Sequence, residues 1–355
     1  MSQPQPSPQG VLVVGGYGAV GAVVCRTLAT WFPGRVVPAG RDLERARRLA
    51  AEIGSDEAVG VDVTDAGDFG DVLARHRIGA VVLCVEPLDD RIARACLTRG
   101  IHLVDIGASH HLLAQVEALD SAAAATGAAA VLSVGVAPGL TNLLARRAHL
   151  AVGGADQVDL TVLLGAGERH GADAVRWTVS RLAAPSPGAA RPRRAWLPGY
   201  GLRTAHPFPF SDQYTLRRTL GVRRVTTRLC LDSRALTAAL FGLRRAGAFR
   251  AARRPGVERA LTAAFSMAHL GGDGWAVRAD ARKSDERASS VMTGKAQSRA
   301  TALVAAHVTR GLLADPECLI PGVRHIDEVP ALASLPEDLC AYDIDLHETR
   351  DLLIT

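Results

Sequence analysis

The residues best suited to chemistry in this sequence are three glycines spaced Gly-x-Gly-x-x-Gly near the amino end. They directly follow the apolar run 11–14 and precede a segment with helical character. At such a strand-to-helix turn the glycines permit a tight bend, a close backbone approach to a pyrophosphate, and close packing of helix on strand. The N–H groups that open the helix then bind phosphate oxygens. The spacing predicts a dinucleotide site, and the alternative is a glycine turn that binds nothing. The predicted site comprises Gly16, Tyr17, Gly18, Ala19, Val20 and Gly21.

The end of the second predicted strand distinguishes NAD from NADP. An NAD site has an acidic side chain there, which binds the ribose 2′-hydroxyl. This strand ends instead at Arg41, whose guanidinium suits a 2′-phosphate. We therefore expect NADP, with NAD possible; the alternative is that Arg41 is solvated and Asp42 turns back to the ribose. Asp62, after the third strand, lies at the adenine rim or simply caps a turn.

The first half of the chain alternates short β-branched runs with longer helical segments, which is typical of parallel βαβ units. We expect strands at 11–14, 35–39, 58–61, 80–85, 102–106 and 129–134, with helices at 19–31, 43–53, 69–75, 90–99 and 111–126. The fold class predicted is α/β, a doubly wound parallel Rossmann sheet plus a second α+β substrate domain with a mixed sheet. In the second half, residues 184–209 are predicted to be irregular because they are rich in Pro, Gly and Arg.

Four segments follow from these patterns. Residues 1–10 form a disordered leader, 11–140 the dinucleotide-binding domain, and 141–295 a substrate-binding and dimerisation domain. Residues 296–355 form a helix and tail that pack back on the Rossmann domain. The leader lacks the basic start and apolar stretch of a secretory signal, and no apolar run reaches the ~18 residues of a membrane span. We expect a cytoplasmic protein, a homodimer, with no membrane partner.

Composition excludes several classes. Hydrophobic residues make up 48% and charged residues 22% of the chain, which excludes a wholly disordered or collagen-like protein. The six cysteines lie far apart without zinc-ligand spacing, so we expect reduced thiols and no metal. Residues 176–254 carry seventeen arginines against two acidic residues. These arginines bind substrate carboxylates or an acidic carrier protein, or form a solvated face. Aromatic residues at 4% are too sparse for nucleic-acid stacking.

Five short motifs occur in an order that resembles the saccharopine dehydrogenase-like family. They are Gly-Gly-Tyr-Gly-Ala-Val-Gly at 15–21, Ala-Gly-Arg-Asp at 39–42, Cys-Val-Glu-Pro at 84–87, Gly-Ile-His-Leu-Val-Asp at 100–105, and Gly-Val-Ala-Pro-Gly-Leu-Thr-Asn at 135–142. The resemblance implies a Rossmann domain with an inserted α/β substrate domain. It further implies hydride transfer between a nicotinamide and a C=N bond that joins amino acids or polyamines.

Candidate reactive residues follow the predicted strands. Ligands of open α/β sheets bind at the carboxyl ends of the strands, where Glu86, Pro87, Asp105 and Pro138 are expected to rim the nicotinamide. Asp105 either orients a substrate amine or relays a proton, or it caps the following turn. His170 lies in a polar glycine-containing turn and is the other candidate proton donor; its alternative is a solvated loop histidine.

The sequence thus predicts an NADP-preferring oxidoreductase that acts on a C–N bond of a small anionic or amino-acid-derived substrate. One alternative is a ketone or enoyl reductase whose substrate arrives on an acidic carrier protein. The other is a non-catalytic NAD(P)-binding sensor or scaffold.

Overall fold

The computed structural model describes residues 10–65, 67, 69–168, 172–184, 190–253, 255–267, 271–314 and 320–350. The predicted leader, residues 1–9, lies outside these residues, and Gly10 already belongs to the first strand. The chain forms two compact units. The first takes its described residues from Met1–Gly107, His111–Val134 and Thr301–Leu332, and the second takes its described residues from Ala108–His110, Gly135–Ala300 and Ala333–Thr355.

The first unit alternates strands and helices, as parallel βαβ connectivity requires. Its strands are β1 (Gly10–Val14), β2 (Val36–Gly40), β3 (Val59–Gly60), β4 (Ile78–Leu83), β5 (His102–Asp105), β6 (Ala129–Leu132) and β13 (Gly322–His325). Its helices are α1 (Gly21–Trp31), α2 (Leu43–Glu52), α3 (Phe69–Arg75), α4 (Arg91–Leu97), α5 (His110–Glu117) and α6 (Asp120–Thr126). The helix expected at 111–126 is therefore two helices.

The first sheet is wholly parallel, in the order β13-β6-β5-β4-β1-β2-β3. Its central strands are buried on both faces, and Leu12, Val81 and Leu103 are all 0% exposed. A parallel strand covered by helices on both faces needs this continuous apolar character, which the sequence shows. The order reverses between β1 and β4, so the cleft for a ligand lies at the carboxyl ends of these strands.

The second unit contains a mixed sheet. Its strands are β7 (Gln157–Leu164), β8 (Arg193–Leu197), β9 (Gly201–Pro207), β10 (Arg224–Leu231), β11 (Gly274–Lys283), β12 (Glu286–Lys295) and β14 (Asp345–Arg350). Its helices are α7 (Thr141–Ala151), α8 (Ala172–Ala183), α9 (Asp212–Thr219), α10 (Arg234–Arg245), α11 (Pro255–Met267) and α13 (Leu335–Asp338); α12 (Gln297–Ala314) begins here and continues into the first unit. The sheet order is β14-β12-β11-β7-β10-β9-β8, with β7 and β10 parallel and the other pairs antiparallel. The predicted α/β fold with a second mixed sheet is confirmed.

Two expectations about the second half need correction. The segment 184–209, expected to be irregular, contains the antiparallel pair β8 and β9, in which Ala195 and Leu197 point into the core. The tail 296–355 does not pack as one piece on the first unit, because β14 pairs with β12 in the second sheet. Within the described residues of this tail, only β13 joins the Rossmann sheet, beside β6. The first error arises because Pro, Gly and Arg outweighed the strand signal of a local hairpin, and the second because β14 pairs with a strand that is distant in sequence.

No helix among the described residues is long and apolar enough to cross a membrane.

Candidate functional site

The glycine turn after β1 is fixed by backbone hydrogen bonds to the end of β2. The N–H groups of Gly15 and Gly16 both donate to the carbonyl of Ala39, at 2.8 and 3.0 Å. The N–H of Gly18 donates back to the carbonyl of Gly15 at 2.9 Å. Gly15 has a φ of +78°, a left-handed conformation that favours glycine. The turn is therefore closed on itself before any ligand binds.

Two glycines of the motif occupy places where a side chain would collide, and the third leaves little room for one. A Cβ on Gly21 would overlap the carbonyl oxygen of Gly15, so α1 could not start this close to β1. A Cβ on Gly16 would lie 2.9 Å from the carbonyl oxygen of Val13. Gly18 is exposed, and a Cβ there would lie 3.1 Å from the carbonyl oxygen of Gly15. The turn has the shape of a cradle that admits backbone only, as pyrophosphate binding requires.

The start of α1 supplies the electrostatic half of that cradle. Val20 is the N-cap of α1 and, within the described chain, makes no side-chain capping hydrogen bond, and the first turn has no acidic residue. The N–H groups of Ala22 and Val23 donate to the carbonyls of Gly18 and Val20, both at 3.0 Å, so the positive end of the helix dipole lies at the glycine turn itself. This end of α1 therefore suits an anion such as a phosphate.

Tyr17 connects the glycine turn to the end of β2. Its hydroxyl accepts the backbone N–H of Asp42 at 2.8 Å, and the guanidinium of Arg45 lies 4.6 Å from its ring centroid. A Cβ on Gly40 would lie 2.6 Å from the ring, so the glycine makes room for the tyrosine. The sequence did not identify Arg45 as a site residue. The feature that marks it is its position in the first turn of α2, with its guanidinium over the Tyr17 ring.

The polar residues after β2 and β3 divide into two roles. The Asp42 carboxylate accepts the N–H of Arg45 at 3.0 Å and is thereby the N-cap of α2, whereas the adjacent Arg41 is exposed. Asp62 accepts the N–H and the hydroxyl of Thr64, at 2.9 and 2.8 Å. These two bonds, with a smaller contribution from the charge of Arg41, lower the pKa of Asp62. Asp62 therefore caps a turn and keeps its negative charge near Arg41.

The residues that follow β1, β4, β5 and β6 meet at one edge of the first sheet, which we call its carboxyl edge: 15–21, 84–87, 105–107 and 133–134. Three hydrogen bonds define it. The N–H of Cys84 donates to Val14 at 2.9 Å, that of Ile106 to Leu83 at 3.3 Å, and that of Val134 to Asp105 at 3.3 Å. The predicted residues Glu86, Pro87 and Asp105 are thus brought to the same edge as the glycine turn.

Asp105 is the strongest electrostatic anomaly of this edge. Its side chain is buried, with 4% of the residue exposed, and one carboxylate oxygen accepts the N–H of Gly107 at 2.7 Å. Burial, with a smaller contribution from the negative charge of Glu86, raises the pKa of Asp105 to about 6, and the Gly107 hydrogen bond acts in the opposite direction. Burial and the charge of Asp105 together raise the pKa of the Cys84 thiol to about 12. Asp105 can therefore hold a proton close to neutral pH, whereas Cys84 stays a thiol.

The turn that carries Pro138 belongs to the second unit. The Ala137–Pro138 peptide is cis, and Gly139 has a φ of 134°. The Gly139 N–H donates to the side-chain oxygen of Asn142 at 3.2 Å, and the Asn142 amide donates to the Thr215 hydroxyl at 3.3 Å. The buried Asn142 side chain therefore supports the backbone of this turn.

Some of the remaining candidates lie within the residues that the structure describes, and one lies outside them. His170 lies outside the described residues. Several of the central arginines are structural, because Arg228 and Arg193 each pair with Asp159 at 2.6 Å. Others are exposed at the end of α9 and the start of β10: Arg217, Arg218, Arg223 and Arg224.

The parallel order, the glycine cradle and the start of α1 define a dinucleotide-binding α/β protein. Residues 11–131 match the family model described as the saccharopine dehydrogenase NADP binding domain. This segment is therefore similar to that NAD(P)-binding domain, which confirms the resemblance seen in the sequence over residues 11–131. No curated protein matches the chain.

The comparison with solved structures finds one that shares the fold at low identity and others with lower structural similarity. Apo histidine-tagged saccharopine dehydrogenase (L-Glu forming) from Saccharomyces cerevisiae is 16% identical, with a TM-score of 0.64, over 97% of this chain and 100% of that chain. C. glutamicum DAP dehydrogenase in complex with DAP is 16% identical, with a TM-score of 0.48, over 95% of this chain and 100% of that chain. An engineered D-amino acid dehydrogenase bound to NADP⁺ is 15% identical, with a TM-score of 0.49, over the same shares.

Replacing Gly21 with alanine should abolish tight dinucleotide binding. The new Cβ would collide with the carbonyl of Gly15 and move the turn away from α1. We expect Gly21→Ala to weaken NADPH binding by at least about 10-fold in a fluorescence titration, since a turn displaced from the helix end loses phosphate hydrogen bonds of about 1.5–3 kcal/mol each. Gly311→Ala is the matched control, because a Cβ on Gly311 of α12 meets open space. Equal affinities for the two variants would contradict the assignment of the cradle.

The raised pKa of Asp105 predicts a pH-dependent stability. The folded protein binds this proton more tightly than the unfolded chain, so the stability from Asp105 is present at low pH and lost as pH rises from about 4 to about 6. Asp105→Asn keeps an acceptor for Gly107 without a charge. In urea unfolding, we expect the free energy of unfolding of this variant to rise relative to that of the wild type as pH increases from about 4 to about 6. At pH 7 the relative gain should be about 2–3 kcal/mol.

Asp62→Asn is the control for that experiment. Hydrogen bonds lower the pKa of Asp62, so its contribution to stability is present at neutral pH and lost as pH falls. The two variants should therefore differ from the wild type with opposite sign at pH 7. If the difference in free energy of unfolding between Asp105→Asn and the wild type stays constant from pH 4 to pH 7, the pKa of Asp105 is ordinary.

Proposed function

We propose that this protein is an NADP-preferring oxidoreductase that reduces or forms a C–N bond of an amino-acid-derived substrate. The observation that carries the proposal is Asp105, a buried carboxyl with a pKa of about 6 at the same sheet edge as the glycine cradle. An acid whose pKa lies near the working pH suits proton transfer in catalysis.

The residues of the first unit fit a nicotinamide dinucleotide. The cradle at 15–21 and the opening of α1 would hold the pyrophosphate, and a Cβ at Gly21 would destroy that shape. Arg41 would bind the 2′-phosphate, because Asp42 is occupied as the cap of α2 and no acidic side chain stands at the strand tip. When bound, the cofactor supplies a hydride to the substrate carbon. NADP preference is part of the proposal, since Arg41 and Arg45 place two cations at this end of the site.

Asp105 would supply the proton of the reaction. As a C=N bond gains a hydride at carbon, its electron pair moves to nitrogen, which takes the proton from the Asp105 carboxyl. The carboxyl becomes a carboxylate, which solvent reprotonates in the next cycle. The negative charge of Glu86 raises the pKa of Asp105 and so keeps the carboxyl protonated before reduction. His170 remains a second candidate proton donor from the sequence.

The C–N substrate class rests on analogy. The structure that shares the fold at a TM-score of 0.64 is a saccharopine dehydrogenase that forms L-Glu, so an amine-bearing amino acid is the substrate class suggested for this chain. Fold alone does not fix a substrate, which is why the class needs a direct test.

A carrier-bound ketone or enoyl substrate is the second candidate, and one observation favours it. Arg217, Arg218, Arg223 and Arg224 are all exposed within one short stretch of the second unit. A cluster of exposed arginines suits an acidic carrier protein, through steering and charge-assisted hydrogen bonds. A turnover number that depends on a carrier and falls in Arg223→Glu would support this candidate over a free amino-acid-derived substrate.

Arg41→Ala should separate NADP from NAD. Loss of a charge-assisted hydrogen bond to the 2′-phosphate costs on the order of 1.5–3 kcal/mol, or about 10- to 150-fold in affinity. We expect that loss for NADPH and almost none for NADH, measured by calorimetric titration. Arg48→Ala is the control, because Arg48 is an exposed arginine of the same α2 helix. Equal losses for both cofactors in Arg41→Ala would show that Arg41 does not bind the phosphate.

Turnover tests the oxidoreductase itself. The wild-type protein should oxidise NADPH with imines formed between 2-oxo acids and amino acids, and its kcat should fall as pH rises past about 6. Asp105→Asn should lower kcat by about 10²- to 10⁴-fold, the usual contribution of a general acid, and should lack that alkaline limb. His170→Ala is measured in parallel. An Asp105→Asn variant with wild-type kcat and the same limb would transfer the acid role to His170.

A further inference from the structure

Three polar side chains of the first unit, two of them buried and the third partly exposed, form a continuous hydrogen-bonded chain. The Ser133 hydroxyl lies 2.8 Å from Nδ1 of His325, and Nε2 of His325 lies 2.7 Å from a carboxylate oxygen of Glu117. Ser133 is 0% exposed and His325 is 1% exposed. An ionised Glu117 can only accept, so Nε2 carries the hydrogen and, in the neutral ring, Nδ1 accepts from the serine hydroxyl. Each ring nitrogen thus has one partner.

The chain joins segments that are far apart in sequence. Ser133 follows β6, Glu117 ends α5, and His325 is the last residue of β13, paired with Leu132. The separations along the sequence are 192 and 208 residues. The β13 strand therefore does more than complete the sheet, because it also places the His325 imidazole next to the end of β6.

Ser133 has an unusual backbone. Its φ is 58°, in the left-handed region that residues with a Cβ rarely adopt. The next residue, Val134, donates its N–H to the carbonyl of Asp105 at 3.3 Å. The conformation of Ser133 therefore determines how the end of β6 meets the end of β5, where Asp105 stands.

The geometry superficially matches a serine nucleophile with its base and acid. A nucleophile must reach a substrate, and Ser133 is completely buried. The three hydrogen-bonded side chains therefore have a structural role and do not attack a substrate.

We propose that Glu117, His325 and Ser133 form a positioning chain, which holds Ser133 in the left-handed conformation and thereby fixes the carboxyl edge beside Asp105. This inference rests on the proposed function, because it assigns the chain a role in placing the proposed acid. Glu117 orients the imidazole, the imidazole accepts from the serine hydroxyl, and the hydroxyl stabilises a backbone conformation that serine otherwise avoids. Ser133 and His325 are positioning residues and touch no substrate.

Two substitutions at Ser133 separate the hydroxyl from the backbone. Ser133→Ala removes the hydrogen bond and leaves a Cβ in the left-handed region, whereas Ser133→Gly removes the same bond but adopts that region freely. We expect Ser133→Ala to lower kcat by about 10- to 100-fold, as misplaced catalytic groups do, with an unchanged KM for NADPH. Ser133→Gly should lose less than about threefold, because glycine needs no hydroxyl to hold the turn. Equal losses in the two variants would overturn the proposal.

Ser284 provides a matched control. It is another serine with a positive φ, 50°, but it is exposed, between β11 and β12 in the second unit. Ser284→Ala therefore makes the same chemical change in a similar backbone conformation, at a position far in sequence from Glu117, Ser133 and His325. Its kcat should equal that of the wild type, so a loss in Ser133→Ala is specific to the edge beside Asp105.

Two substitutions at His325 test the direction of the chain. Asparagine reaches the position of Nδ1 and keeps the partner of Ser133, whereas glutamine reaches the position of Nε2 and keeps only Glu117. His325→Gln should therefore lower kcat like Ser133→Ala, and His325→Asn should lower it less. The double variant Ser133→Gly/His325→Gln should recover the kcat of Ser133→Gly, even if either histidine variant alone is unstable. No recovery would show that His325 acts otherwise than through the backbone of Ser133.

The outcome also distinguishes this inference from the proposed function. If the wild-type protein fails to bind NADPH or to reduce any imine, the proposed function fails, and thermal melting alone still reports whether Ser133→Ala is less stable than Ser133→Gly. If the wild type is active and Asp105→Asn is not, the proposed function stands. Equal kcat values for Ser133→Ala and Ser133→Gly would then overturn the positioning chain by itself.

Discussion

The contact between Gly15 and Gly21 is the constraint on which the nucleotide-binding half depends. The carbonyl of Gly15 lies so close to the start of α1 that only a residue without a Cβ fits at Gly21. This contact sets the distance of α1 from β1 and aims the opening N–H groups of the helix at the turn. Tyr17 and the carbonyl of Ala39 then tie the turn to β2, so the pyrophosphate cradle and the Arg41 end are one rigid arrangement.

The parallel order of the first sheet determines the electrostatics of the site. Because the strands run the same way, every chain segment that leaves the sheet on this side does so at the carboxyl edge, and Cys84, Glu86 and Asp105 become neighbours. Desolvation then acts on Cys84 and Asp105. It raises the pKa of the Asp105 carboxyl and the Cys84 thiol, and the charge of Glu86 acts in the same direction on Asp105. A proton held near neutral pH is therefore a property of the sheet edge and not of Asp105 alone.

The first unit was predictable from the sequence to the extent that its signals are local. Alternating short apolar runs and helical segments predicted the strands and helices up to β6, and the glycine spacing predicted the cradle, because both patterns reflect contacts between near neighbours in the chain. The β8–β9 hairpin was not predicted because its proline, glycine and arginine content is typical of loops, although its two strands are close in sequence. The β12–β14 pair was not predicted because its strands are distant in sequence. The helix at 111–126 was predicted as one piece because the break between Glu117 and Asp120 has no proline or glycine to mark it.

By itself, the sequence determined the fold class, the position of the dinucleotide turn and the presence of an arginine at the tip of β2. It named Asp105 as a candidate but left open whether that carboxylate only capped a turn. Tertiary structure alone decided that Asp105 is buried beside Glu86, which changes the proton affinity of a side chain without changing its type. It also decided that His325, from the far end of the chain, bridges Ser133 and Glu117. The physical reason is the same in both cases: burial and hydrogen bonding depend on neighbours in space, and the folding of distant segments supplies those neighbours.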